Sequence, residues 1–216
     1  MAVSRQADVW KDHKRETRDA LTRAAVALVQ RGVTPTVAQA AEEAGISRAT
    51  AYRYFPTQEA LLFDVYAGTS TTEGDELASQ GGTDDVATRL ERLVDGFNRV
   101  AVREEAQWRV GLRVHQDTWL EGRRNGIDKP VVREGRRMGW LDQVLGAAAD
   151  LSAEQRRRLQ CALALTLGID SITIMKDVCG LDDEEALAVL RWASAALLRA
   201  GLDGDGTGRP ATTTST

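Results

Sequence analysis

Apolar side chains recur every three to four residues along most of the chain, and no stretch keeps the period-two alternation of a half-buried strand. Leu21, Ala24, Ala25, Leu28 and Val29 form one stripe within a helix predicted over about Lys14–Arg31, with Gly32 as its stop. Thr36 followed three residues later by Gln39 reads as a capping box opening a short helix to Ala44 and Gly45. Ser47 caps a second short helix to about Phe55, and Pro56-Thr57 leads into a third from Gln58. The stretch from Ala67 to Thr83 shifts to Gly, Ser, Thr and Asp and is the clearest internal boundary. Longer helices are predicted beyond it, over about Asp84–Val102, Glu104–Arg124, Val131–Ala149, Ser152–Val178 and Asp182–Ala200, with breaks at Asn125-Gly126, Lys129-Pro130, Asp150 and Cys179-Gly180. The prediction is an all-α chain: a three-helix unit within 1–57, a larger helical region over 58–200, and a disordered Gly-, Asp- and Thr-rich tail over 201–216.

Composition narrows the function. The 216 residues carry a net charge of −4, which excludes a protein that coats nucleic acid as a polycation. That average hides two unlike parts. Residues 1–70 hold nine basic and eight acidic side chains, so the excess of acid lies in the remainder. Any affinity for DNA must come from where particular Arg side chains are placed. The opening residues have no apolar core or cleavage pattern, and no uncharged apolar run is long enough to span a membrane. Cys161 and Cys179, on one predicted helix, would lie about 27 Å apart, too far for a disulfide. The expectation is reduced core cysteines in a cytoplasmic protein, and the strong preference for Arg over Lys suggests a GC-rich bacterial genome.

The chemistry concentrates between Thr36 and Phe55. Two short helices joined by a Gly-containing turn form a helix-turn-helix pattern. Ala41, four residues before Gly45, is small enough for a close crossing, and Gly45 suits a positive φ. The second helix offers Arg48, Ala49, Thr50, Tyr52 and Arg53, with no acid from Gly45 to Gln58. Arg bonds guanine bidentately, while Thr and Tyr reach phosphate or a thymine methyl. Spacing alone also admits an ordinary helical hairpin whose Arg side chains are simply solvated.

The run Thr36-Val-Ala-Gln-Ala-Ala, Ala44-Gly-Ile-Ser, Tyr52-Arg-Tyr-Phe-Pro and Glu59-Ala-Leu-Leu resembles the DNA-binding domain of TetR-family transcriptional regulators, over roughly Lys14 to Tyr66. One departure is Gln58, where the family usually has a Lys that can touch phosphate. The resemblance implies Arg48, Ala49, Thr50, Tyr52 and Arg53 at the bases, and Lys14, Arg18, Thr36, Tyr54 and Thr57 at the backbone. It also implies a homodimeric repressor on a palindromic operator, controlled by a small-molecule effector and needing no cofactor. Leu159, Leu163, Leu167, Ile174, Leu187, Leu190 and Leu197 are the expected dimer interface. They lie in helices apolar on more than one side: Leu165, Ile169, Ile172 and Met175 add a second band over Ser152–Val178, and the last helix also carries Trp192 and Leu198. Phe97, Trp108, His115, Trp119, Met138 and Trp140 are the expected effector pocket, although helical aromatics more often pack cores.

Other signals fail on context. Gly45-Ile-Ser-Arg-Ala imitates a hydrolase nucleophile elbow but is flanked by helices. Asp203-Gly-Asp-Gly-Thr-Gly lacks the closing Glu of a calcium loop, and two separated His build no zinc site. No catalytic constellation or metal ligand set stands out. An adaptor or sequestering protein that keeps the fold without operator binding is the alternative function.

Overall fold

The computed structural model describes residues 2–67, 71–82, 84–127, 135–146, 148 and 151–203. Lys129-Pro130, Asp150 and residues 204–216 of the expected tail lie outside them. Among the described residues the chain is helical, with no strand. Contacts divide it into two compact units: 1–69 with 104–131, and 70–103 with 132–216.

The first unit holds α1 (Ala2–Gln30), α2 (Val37–Glu43), α3 (Arg48–Tyr54), α4 (Gln58–Ala67) and α7 (Glu105–Arg124). α1 begins well before the predicted Lys14. Its stripe of Leu21, Ala25 and Val29 packs with Val37, Ala40, Ala41, Ala51, Phe55, Leu61 and Val65 in one buried core. Two glycines shape this core. Gly32 (φ 79°) ends α1 and Gly45 (φ 66°) ends α2, and at each a Schellman pair of bonds closes the helix. After α2, Gly45 N–H donates to the Glu42 carbonyl at 3.1 Å and Ile46 N–H to the Ala41 carbonyl at 2.9 Å. The chain therefore reverses within three residues and delivers Ser47 to the start of α3. In α7, Tyr66 lies against Gly111, where an added Cβ would fall 2.1 Å from its ring.

The second unit holds α5 (Thr71–Ser79), α6 (Val86–Arg103), α8 (Arg136–Leu145), α9 (Ala153–Leu163), α10 (Ile169–Thr173) and α11 (Asp183–Asp203). α5 is a correction: part of the stretch read as a boundary is helical, because Leu77 and Ala78 give it an apolar side to bury.

A larger correction concerns Ser152–Val178, predicted as one helix. It is interrupted. α9 tightens into a 3-10 turn over Ala164–Thr166, Leu167 is extended, and Gly168 sits at φ 81°, ψ −165°. α10 then passes into a π turn over Ile174–Val178. Asn98 of α6, fully buried, closes the break: its Nδ2 donates to the Thr166 carbonyl at 2.9 Å and its Oδ1 accepts from Gly168 N–H at 2.7 Å. Arg137 of α8 donates to the Leu167 carbonyl at 2.7 Å and to Asp170 at 2.8 Å. Every backbone group named here would be costly to leave unpaired in the interior. With the helix broken, the axial separation expected for the two cysteines no longer applies. Cys161 and Cys179 are free thiols, but both are exposed and are not core residues.

Candidate nucleic-acid interface

α3 is held at both ends by short local bonds. Ser47 Oγ accepts the Thr50 N–H at 3.2 Å as N-cap, and Phe55, 1% exposed, anchors the far end in the core. Ala51 is the buried contact between. The remaining positions face solvent: Arg48, Ala49, Tyr52 and Arg53 are exposed, and Thr50 and Tyr54 are half-buried. The Thr50 hydroxyl accepts a bond from Ser47 Oγ at 2.9 Å, which fixes its rotamer. No ion pair among the described residues engages Arg48 or Arg53. Of the two acids that end α2, Glu43 is neutralised by Arg31, whose two bonds at 2.7 and 3.1 Å hold its carboxyl below the ordinary range. The outward side of α3 is thus a small cationic and aromatic surface in an acidic chain.

The neighbouring positions divide. Thr36 is exposed and completes the predicted capping box with Gln39, its Oγ1 accepting Gln39 N–H at 3.2 Å while Gln39 Oε1 accepts Thr36 N–H at 2.9 Å. Lys14 is exposed. Thr57 is exposed, and its hydroxyl accepts Ala60 N–H at 3.2 Å to cap α4. Arg18 is a correction. Its guanidinium forks onto Asp64 at 2.5 and 2.7 Å and lies 5.3 Å from the Phe55 ring centre, so it ties α1 to α4 and to the end of α3 and is not held out for phosphate. Asp64 also accepts the Thr22 hydroxyl at 3.2 Å. Gln58, the departure from the family pattern, donates to the Pro35 carbonyl at 3.0 Å and joins the start of α4 to the approach to α2. Neither tie was legible in the sequence, since each joins residues more than twenty positions apart.

The expected pocket residues are shared between the units. In the first, Trp108 and His115 pack edge-on against Tyr66 at 5.7 and 5.3 Å, while Trp119 is 45% exposed. In the second, Phe97 packs on Trp140 at 4.6 Å, Trp140 Nε1 donates to Asp75 at 2.6 Å, and Met138 is half-buried. Trp108, Phe97 and Trp140 are therefore core packing within their own units. The expected dimer residues are corrected in part. Leu159, Leu163, Leu167, Leu187 and Leu190 are buried inside the chain and Leu197 is half-buried; only Ile174 is exposed. The break at Gly168 and the phase of α11 instead turn out Leu165 (75% exposed), Val178 and Trp192 (68% exposed). Among the described residues no helix is long and apolar enough to cross a membrane, and no group of three His, Cys, Asp or Glu could hold a metal ion.

A capped pair of short helices with an open cationic side on the second has the helix-turn-helix arrangement. Residues 20–65 match the family described as bacterial regulatory proteins, tetR family, so this part of the chain is similar to the N-terminal domain of those regulators. No curated protein matches it. Among solved structures it is similar to a TetR transcriptional regulator from Rhodococcus sp. RHA1, at 16% identity and a TM-score of 0.49, covering 87% of this chain and 98% of that one.

Proposed function

We propose that this protein is a homodimeric bacterial repressor in the cytoplasm that reads a palindromic operator with α3 of each copy and is controlled by a small-molecule effector. The observation that carries the reading is the exposed, unneutralised pair Arg48 and Arg53 on a helix pinned by Ser47 and Phe55. In this reading residues 1–57 are the reading head and 58–200 the dimerising and sensing body. Arg48, Ala49, Thr50, Tyr52 and Arg53 meet base edges, and Lys14, Thr36, Tyr54 and Thr57 meet phosphates. Two such helices one helical turn of DNA apart, about 34–36 Å, engage successive major grooves. The exposed apolar set Leu165, Ile174, Val178 and Trp192 supports pairing of two copies, because apolar area of this kind is stabilised by removal from water.

Fluorescence anisotropy against the DNA upstream of the protein's own gene tests the reading. Binding should be sequence-specific and salt-dependent, and Arg53→Ala should weaken it by about 1–3 kcal/mol per lost bidentate contact. Equal affinity for operator and scrambled DNA would favour the adaptor function. Sedimentation should give a dimer that Trp192→Lys converts toward monomer. A monomeric parent protein at micromolar concentration would remove the dimer from the reading.

A further inference from the structure

The first unit carries a cleft that DNA reading does not use. It has a volume of about 580 Å³ and lies between α1, α4 and the first turn of α7. That is within the range of small-molecule sites. Its α1 wall runs from Asp19 to Gln30, positions that recur at helical spacing and extend about 16 Å along the axis. Val26, Ala27 and Val65 supply apolar wall, and Thr22 and the Gln side chains supply hydrogen-bonding groups. Three carboxylates, Asp19, Asp64 and Glu104, line the cleft with one guanidinium, that of Arg23, and Asp64 is also bonded to Arg18 from outside the lining. An anion would meet like charge there. No lining group matches a metal site either, since no three metal-binding side chains converge among the described residues.

A second observation connects the cleft to α3. Asp64 is both cleft wall and the partner of Arg18, and Arg18 covers the ring of Phe55 at the end of α3. A cation delivered to Asp64 through the cleft competes with Arg18 for the same oxygens. Release of Arg18 uncovers Phe55 and loosens the anchor that orients α3.

We infer that this cleft binds an organic cation with a hydrocarbon body, of the linear diamine class, and that its occupancy lowers DNA affinity through Asp64. The hydrocarbon lies on Val26, Ala27 and Val65, and the ammonium groups meet the carboxylates. None of its lining residues belongs to the pocket expected from the resemblance, and its binding is measurable without DNA.

The test is calorimetric titration of the full chain with three probes of one length: 1,8-diaminooctane, 1,8-octanediol and octanedioate. The diamine should bind saturably, and the diol and diacid at least tenfold more weakly. Asp19→Asn, an exposed substitution that leaves the two Arg18–Asp64 bonds in place, should weaken the diamine about fivefold, the scale of one partly screened charge contact. Ala27→Phe, which fills the cleft, should abolish binding while circular dichroism stays unchanged. Equal affinity for diamine and diol, unchanged diamine binding in Ala27→Phe, or no saturable binding up to about 10 mM would overturn the assignment. Where an operator fragment is bound, diamine should also reduce that affinity in the parent protein and not in Ala27→Phe. Binding without that effect would overturn the coupling through Asp64.

Discussion

Asn98→Ala should be among the most damaging single substitutions in the second unit. The side chain is fully buried and holds both sides of the break in the predicted Ser152–Val178 helix, donating to Thr166 and accepting from Gly168. Removing it leaves a buried carbonyl and a buried N–H, each costing about 1–3 kcal/mol, and opens a small void, so the loss should be about 2–5 kcal/mol. Urea unfolding at fixed protein concentration measures it as a lower midpoint with an unchanged slope. Gly168→Ala acts on the same feature by another route. It places a side chain at φ 81°, ψ −165°, a region essentially reserved for glycine and costing about 1–3 kcal/mol, with its Cβ 3.3 Å from Phe97. Once either change has opened the break, the other has less left to disrupt, and the double variant should lose less than the two losses added. A loss below about 1 kcal/mol for Asn98→Ala, or strict additivity in the cycle, would refute Asn98 as the clamp.

Two further predictions address the reading head and the pairing of α6 with α11. Gln58→Lys should give up the bond to Pro35 but gain a phosphate contact, steepening the log–log salt dependence of operator binding by about 0.9 for each Lys that engages, read by anisotropy across a salt series. An unchanged slope would show that position 58 does not reach the backbone. Asp95 accepts from Arg191 of α11 and, at 3.1 Å, from Arg99 of its own helix. Desolvation pushes its carboxyl up, but the bonds from Arg191 and Arg99 outweigh it and hold the group below its ordinary value. Its folded value is therefore below its unfolded one. The stability it contributes is present above the unfolded value, near pH 4, and is lost as pH falls through the folded one. The difference in urea midpoint between the parent protein and Asp95→Asn should shrink from pH 7 to pH 3, and a difference that grows on acidification would contradict the assignment.

The reading head was legible because its signals are local. Capping residues at 36, 47 and 57 and positive-φ glycines at 32 and 45 act within five residues, so their bonds follow from spacing. Gln58 stands out in the sequence only as a departure from the family pattern and Asp64 not at all, because nothing near them in sequence announces a bond to Pro35 or Arg18. The long helices were legible as helices and less so in what they face. Periodicity shows that Leu159, Leu163 and Leu167 share a side; it cannot say whether that side meets this chain or another. They are buried in this chain.

The break at Gly168 runs against local helix preference. A run such as Leu163-Ala-Leu-Thr-Leu-Gly-Ile-Asp keeps apolar residues at helical spacing across one glycine, and an isolated glycine costs a helix only about 1 kcal/mol. Local propensity therefore favours continuity. What opposes it lies far away in sequence: Asn98 and Arg137 offer hydrogen bonds to the Thr166 and Leu167 carbonyls and the Gly168 N–H, groups that an unbroken helix would pair within itself. Several buried bonds of about 1 kcal/mol each are enough to reverse so small a preference. The reversal has a consequence at the surface, because the tightened turn before Gly168 leaves Leu163 and Leu167 inside while Leu165 points out. A polar clamp in the interior thus selects which leucine is exposed. The exposed apolar surface inherits its pattern from Asn98 more than from the apolar periodicity of the helix that carries it.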